Sequence, residues 1–389
     1  MMSFKSYTLP RLLAMLLATL WLCSSCIDEF DADLPDADLH YLVVQGSICG
    51  QSDCEFHLSR SLPLNPSSDD LVGRNITDAR LTVCGSDNSR VSATQPQAGL
   101  YLVTLGALNS NQEYWVEIEW EGRTYQSSPT RPLSTPAITD LHYEQPRADQ
   151  QVDILITPAT DSQKETQYLQ WDYQEHWEIH TPYLSEWDYN VATDKIEPAT
   201  VYLDKGWMKD LYHPSVIGNN IDFANHEIRN LRLLSLNNLD DRFNVRYCIT
   251  VRQRAISREQ FEYEKLAQRQ SDDMGGLFTP QPSELPSNIR CNDGQSKSIG
   301  YIGVTLNAEQ KRLYIKGKDV GYHTSRIAHI LTDEEVSQLG PDAKSLYSKT
   351  YRILNYDEMS NAVTWVERWG VDATAWGASL EKPDFWTEN

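Results

Sequence analysis

The sequence predicts a mainly β protein. Two sets of short alternating apolar and polar runs, each broken by turn residues, carry that expectation. A single amphipathic segment near residue 258 interrupts them. The run EYWVEIEWEG is the clearest case: Tyr114, Val116, Ile118 and Trp120 fall on one face, and Glu113, Glu117 and Glu119 largely on the other. A period of two marks a strand with one face buried.

The first element in order is a leader. Residues 1–25 carry only Lys5 and Arg11 as charges, then an apolar run over 12–22 that is too short to span a bilayer as a permanent helix. Small residues Ser24 and Ser25 precede Cys26, in the manner of a bacterial lipobox, so 1–25 reads as a lipoprotein signal peptide and Cys26 as the lipidated residue. Two or three acyl chains would hold a soluble domain firmly on a membrane, each buried methylene adding about 0.8 kcal/mol. Residues 26–39 form an acidic tether. It carries Asp28, Glu29, Asp31, Asp33, Asp36 and Asp38 and no basic residue, and it lacks the glycine and closing glutamate of an EF-hand loop. With a net charge of −21 for the full chain, nucleic acid and anionic lipid are poor partners.

Residues 40–136 hold LHYLVVQGSI, CEFHLSRSL, DARLTVCG, GLYLVTLG, EYWVEIEWEG and RTYQSS, a strand spacing that reads as a β-sandwich of immunoglobulin-like or transthyretin-like kind. Cys49 and Cys54 flank the turn Gly50-Gln51-Ser52-Asp53 and are a candidate disulfide, with Cys84 competing for either; Cys248 and Cys291 are a weaker pair. Residues 128–136, with Pro129, Pro132 and Pro136, read as a stiff linker. Residues 137–389 form a larger, fibronectin-III-like β-rich domain. Its runs include QVDILITP, YLQWDYQEHWEIHTPY and FNVRYCITVRQRAI, with an irregular, aromatic-rich insertion over 183–225. Ser257 to Gln260 fits a capping box opening a helix over about 258–270, a second box lies at Thr332 to Glu335, and the end is a Trp-rich irregular tail.

No nucleophile elbow, P-loop, dinucleotide fingerprint or kinase signature is present, and His226-Glu227 fails as a zincin because Asn230 stands where the second histidine belongs. The chain therefore reads as a non-enzyme without a cofactor. Within HWEIH, the residues His176, Glu178 and His180 share one face of a strand and are the only metal-ligand candidates. Trp171, Tyr173, Trp177, Trp187, Tyr189 and Trp207 are the ligand-binding candidates, since aromatic platforms beside Asp and His stack sugars or grip a partner; part of such a set is core in any β protein.

RQRAISREQFEYEKLAQRQSDDMGGLFTPQPSELPSNIRC, IGYIGVTLNAEQKRLYI and WGVDATAWGASLEKPDFW together resemble the DUF4249 lipoproteins of Bacteroidetes. The turn Leu277-Phe278-x-x-Gln281-Pro282, the Asn288-Ile289 step and the closing Lys-Pro-x-Phe-Trp are the most specific parts. Many relatives carry C-x-D-C where this chain has Gly370-Val371-Asp372-Ala373, so a thiol role there is absent. The resemblance implies an outer-membrane lipoprotein facing the cell exterior, which binds for or assists a TonB-dependent transporter in nutrient uptake. An adhesin or envelope-structural protein is the alternative, and a hydrolase with an unrecognised site a more distant one.

Overall fold

The computed structural model describes residues 41–387 apart from 63–67, 69–70, 72, 148–149, 161–166, 191, 194, 212, 273–285, 325 and 339–348. The leader, Cys26, the tether and the 277–282 turn lie outside the described residues.

Alternation builds the first strands: β1 (Leu42–Cys49), β2 (Ser52–Arg60), β3 (Arg80–Gly85), β4 (Arg90–Ser92), β5 (Thr94–Gln97), β6 (Leu100–Leu105), β7 (Tyr114–Trp120) and β8 (Arg123–Ser127). In β7 the expected face is buried, with Tyr114, Val116, Ile118 and Trp120 inside. The next strands are β9 (Ile138–Glu144), β10 (Gln151–Pro158), β11 (Tyr168–His180), β12 (Trp187–Asn190), β13 (Lys195–Pro198), β14 (Lys205–Asp210), β15 (Val216–Asn219), β16 (Leu231–Asn237) and β17 (Arg246–Ala255). Helix α1 (Arg258–Asp272) starts where its cap places it, Gln260 N–H donating to Ser257 Oγ at 3.1 Å. It is followed by β18 (Ile289–Cys291), β19 (Ser298–Ile299), β20 (Gly303–Thr305), β21 (Glu309–Lys316), β22 (Ile330–Thr332), α2 (Asp333–Gln338), β23 (Tyr351–Asp357) and β24 (Ala362–Glu367). The second capping box closes reciprocally: Glu335 N–H donates to Thr332 Oγ1 at 3.3 Å, and Thr332 N–H to Glu335 Oε2 at 2.8 Å.

Two sheets, β19-β1-β2-β6-β5 with β20 also on β1, and β18-β8-β7-β3-β4, enclose the first core around Phe56, Leu58, Ile118 and Tyr125. The sandwich is not made by residues 40–136 alone. β18 pairs with β8, while β19 and β20 run parallel along β1, so three strands return from far down the chain. The boundary at 136 is corrected accordingly, and residues 41–389 cluster as one unit. The run SIGYIGVTL, which holds β19 and β20, reads as strand in the sequence, but its pairing with β1 does not. The proline segment is not a free spacer either: Leu133 N–H donates to Val304 O at 3.0 Å, and Leu306 N–H to Leu133 O at 2.8 Å.

The second body sets β16-β10-β9 against β14-β11-β17-β21, with β15 continuing the β14 side of β11. This three-on-four packing is the fibronectin-III-like arrangement the alternation predicts. Leu169, Trp171, Tyr247, Ile249 and Val251 fill its core, and the Trp171 indole donates to Gln253 Oε1 at 2.7 Å. The 183–225 insertion is more regular than expected, since β14 and β15 extend the central sheet and β12 pairs with β13. The tail likewise forms a sheet, β22-β24-β23, onto which Trp187, Tyr189 and Ile196 pack.

Candidate functional site

Strand alternation gives β11 and β17 two unlike faces. Leu169 and Trp171 belong to the core, and the half-buried Tyr173 and Trp177 pack against it, so Gln170, Asp172, Gln174, His176, Glu178 and His180 point the other way, alongside Arg246, Thr250, Arg252 and Arg254 of β17. The C-terminal segment covers the middle of this polar face. His176 meets Phe385 edge-on at 4.9 Å, Arg312 lies over Phe385 at 4.2 Å, and Tyr314 Oη donates to Phe385 O at 3.0 Å.

At the Asp172 end, the polar face meets the first sandwich and leaves a cleft. One compartment, of about 600 Å³, is lined by Gln45, Ser47, Glu55 and His57 on one wall and by Asp172, Arg252 and Arg254 on the other. A second, of about 490 Å³, shares Gln45, Gly46, Asp172, His213 and Arg254 and is walled by Tyr263, Glu264 and Gln268 of α1. Both volumes suit a small ligand.

Arginines span the cleft: Arg252 Nη2 donates to Ser52 Oγ at 2.9 Å, Arg254 Nη1 to Ser47 Oγ, and Arg254 Nη2 to Asp172 Oδ2 at 2.5 Å. Ser215 Oγ donates to the other Asp172 oxygen at 2.5 Å, and Gln170 Nε2 to Ser215 Oγ at 2.8 Å. Burial pushes the Glu264 carboxyl above its ordinary value, opposed by Arg254 and reinforced by Asp172. Gly46 sits where β1 leaves β2, with φ at +153°, and a Cβ there would come 2.5 Å from the Phe56 ring. Only glycine fits both the dihedral and the approach.

Beside the cleft, Glu175 faces Asp210 across the β11–β14 ladder, and like charges directly opposite need a cation. Arg242 provides one: Nη1 donates to Glu175 Oε1 at 2.9 Å, while Nε and Nη2 grip Asp240 at 3.0 and 2.9 Å. Tyr247 Oη donates to Glu175 Oε1 at 2.6 Å. Burial, then the Glu175 charge, raises the Tyr247 phenol well above its ordinary range. His213 Nε2 lies 2.9 Å from Glu175 Oε2 and 3.7 Å from Asp210 Oδ1, and Tyr173 stacks on its ring at 4.5 Å. Among the described residues, Glu175, Asp210 and His213 are the one set of three ligand atoms close enough to share a cation.

The expected trio of His176, Glu178 and His180 does share a strand face, but it does not converge. The His176 ring is buried against Phe385, and burial, with Lys209 and Arg312 nearby, lowers its basicity. His180 Nε2 sits 2.7 Å from Glu178 Oε1, and that hydrogen bond holds Glu178 below its ordinary value against the effect of burial. Residues two apart on a strand point in parallel rather than towards a common centre.

The aromatic candidates also divide. Trp171 is fully buried core, Trp187 and Tyr189 pack on the tail sheet, and Trp187 meets Tyr356 edge-on at 5.3 Å. Tyr173 lines the cleft, Trp177 lines a small cavity beside Arg242, and Trp207 lines a separate pocket. Cys49 and Cys54 are buried thiols, as is Cys84; Cys54 Sγ donates to Cys49 O at 3.2 Å, and burial pushes its thiol up to about 11. Cys248 and Cys291 are thiols on strands of different sheets, β17 and β18. The disulfide expectation is corrected at both places. Asp172, His213, Arg252 and Arg254 were not singled out in sequence, although Arg252 and Arg254 alternate along VRQRAI as a charged face.

The family described as a domain of unknown function (DUF4249) matches residues 27–311. The chain belongs to the DUF4249 family. The whole lining of the cleft, from Val44 to Gln310, lies inside the matched span. No curated protein matches this DUF4249 chain.

Among solved structures, a DUF4785 family protein of Legionella pneumophila is 11% identical, covering 55% of this chain and 52% of that one at a TM-score of 0.16, so the match spans about half of the Legionella protein. A two-domain fibronectin type III segment of chicken tenascin is 11% identical over 54% of this chain and 88% of that one, with a TM-score of 0.14. The adhesin InvE of Yersinia pseudotuberculosis is 12% identical over 56% and 57%, with a TM-score of 0.15. Likenesses at these scores do not bear on function.

Proposed function

We propose that this DUF4249 protein is a lipid-anchored binding protein on the cell exterior, where it serves a TonB-dependent outer-membrane transporter. The observation that carries the reading is the cleft between the two β bodies, crossed by Arg252 and Arg254 and lined on both walls by donors and acceptors. Convergent polar groups in a cavity of this size recognise a small polar ligand. The lipobox at Cys26 and the acidic tether support the address. Binding suits the groups present better than turnover does, since Asp172 is tied to Arg254 and Ser215 and burial keeps the Cys54 thiol protonated.

Outer membranes solubilised in mild detergent test this directly. An affinity-tagged chain is expected to retain a TonB-dependent transporter, and Cys26→Ala to leave the membrane fraction. A tagged chain that retains no transporter would overturn the partnership. One observation favours a hydrolase as the second reading: Glu264, with its raised carboxyl, shares the cleft with Asp172. Turnover lost in Glu264→Gln would establish it.

A further inference from the structure

The polar face of the central sheet has a second open end, about six residues or roughly 20 Å along the strands from Asp172. There Glu178 of β11, Arg246 of β17 and Lys316 of β21 stand side by side at the rim of a cavity of about 660 Å³. Among the described residues, Lys205, Arg246, Lys316, Lys318 and Lys382 line it, against one carboxylate, Glu178, which His180 already engages at 2.7 Å. In a chain with a net charge of −21, five cations around one cavity are a local reversal of sign.

Two indoles complete the wall, the half-buried Trp207 and the buried Trp386. Trp207 is fixed by its backbone, its N–H donating to Ser379 O at 2.8 Å and its carbonyl accepting from Ser379 N–H at 2.9 Å. Arg246 is only 9% exposed, lies over Tyr314 at 4.1 Å and Trp386 at 5.6 Å, and donates through Nη1 to Thr387 O. Its Nε is buried without a hydrogen-bond partner, and so is Trp207 Nε1. Unpaired buried donors beside a cationic cavity are rare enough to ask what they serve.

We propose that this pocket binds an acidic sugar, a uronate or sulfated hexose unit. The lysines are flexible point charges that accept a carboxylate or sulfate in several orientations, the buried Arg246 adds a fixed charge beneath them, and the part-exposed Trp207 indole offers an apolar face to the sugar ring. The cavity volume falls in the range of small-molecule sites. A long polyanion such as nucleic acid is disfavoured, because it would run from this patch onto acidic surface. The site is separate from the cleft and needs no transporter, so it can fail while the transporter partnership holds, and the reverse.

The test titrates the full chain at low ionic strength with a galacturonate disaccharide and a sulfated disaccharide, each against a neutral disaccharide of equal size, by calorimetry and tryptophan fluorescence. An acidic sugar is expected to bind about tenfold or more tighter than the neutral one, a difference of about 1.4 kcal/mol. Its affinity is expected to fall with added salt and to drop by a similar factor in Trp207→Ala. Lys316→Gln with Lys318→Gln, at exposed positions, is expected to lose the acidic preference with its thermal midpoint unchanged. Equal binding of neutral sugar, no binding of either acidic sugar into the millimolar range, inorganic sulfate binding as tightly as the sulfated disaccharide, or a nucleoside monophosphate binding more tightly than both would each overturn it.

Discussion

The first sandwich and the second body solve the same packing problem with different materials. Among the described residues, the first buries apolar side chains and hydroxyls such as Thr82 and Ser127, and its charges pair at the surface, as Arg80 does with Glu119. The second body and the tail close over carboxylates: Glu175 is 1% exposed in the one and Asp372 0% in the other, each held by arginine. A core of the first kind is stabilised by removing area from water and is indifferent to pH. One of the second kind holds only while every buried charge keeps its partner.

Matched substitutions probe that difference most strongly. Phe56→Ala empties a fully buried site of the first core and should cost about 3–5 kcal/mol in urea unfolding, with no pH dependence. Arg242→Met strands Glu175 and should cost a similar ~3–5 kcal/mol, part of it recovered when Glu175→Gln is added. A cost below about 1 kcal/mol for the arginine variant would collapse the distinction.

Acid sharpens it at intermediate size. Burial alone would raise Asp372, but the Thr374 hydroxyl, Arg368 and Arg352 outweigh it, and the carboxyl sits below its ordinary value. Asp240 is lowered in the same way, with Arg242 overcoming burial. A folded pKa below the unfolded one gives stability that is present above about pH 4 and lost as pH falls through the folded value. The second body and the tail should therefore loosen first in acid. Asp372→Asn should cost about 1.5–3 kcal/mol at neutral pH and flatten the acid limb, measured by hydrogen exchange on β22 to β24.

Two smaller effects follow. Ser257→Ala removes the cap of α1 and should cost about 1 kcal/mol while leaving β17 protected from exchange. Reductant should leave the thermal midpoint where it is, because Cys49, Cys54 and Cys84 are thiols; a fall on reduction would show a bridge in the first sandwich.

The same contrast explains what the sequence could disclose. The strands of the first sandwich, the helix at 258 and both capping boxes were legible because alternation and caps are local. The pairing of β18 to β20 was not, since it lies with a partner far away in the chain. At the site, HWEIH does put His176, Glu178 and His180 on one outward face, but residues spaced two apart do not converge on a common centre. Glu175 sits among core residues, and nothing in its neighbours announces Arg242 or His213. Trp207 carried a usable signal, whereas the lysines around it come from three separate segments.

The return of β19 and β20 to β1 also sets an order of assembly. β1 meets β2 across a two-residue turn, but it meets Ser298 and Gly303 only after roughly 250 more residues have been made. Closing that loop costs about 4 kcal/mol more than closing a hairpin, six doublings at about 0.6 kcal/mol each. The β1-β2-β6 meander should thus form early and wait with one flank open, a flank that any other strand can dock on. A nascent chain passes through that exposed stage every time it is made, and a copy cut short before Thr305 never leaves it.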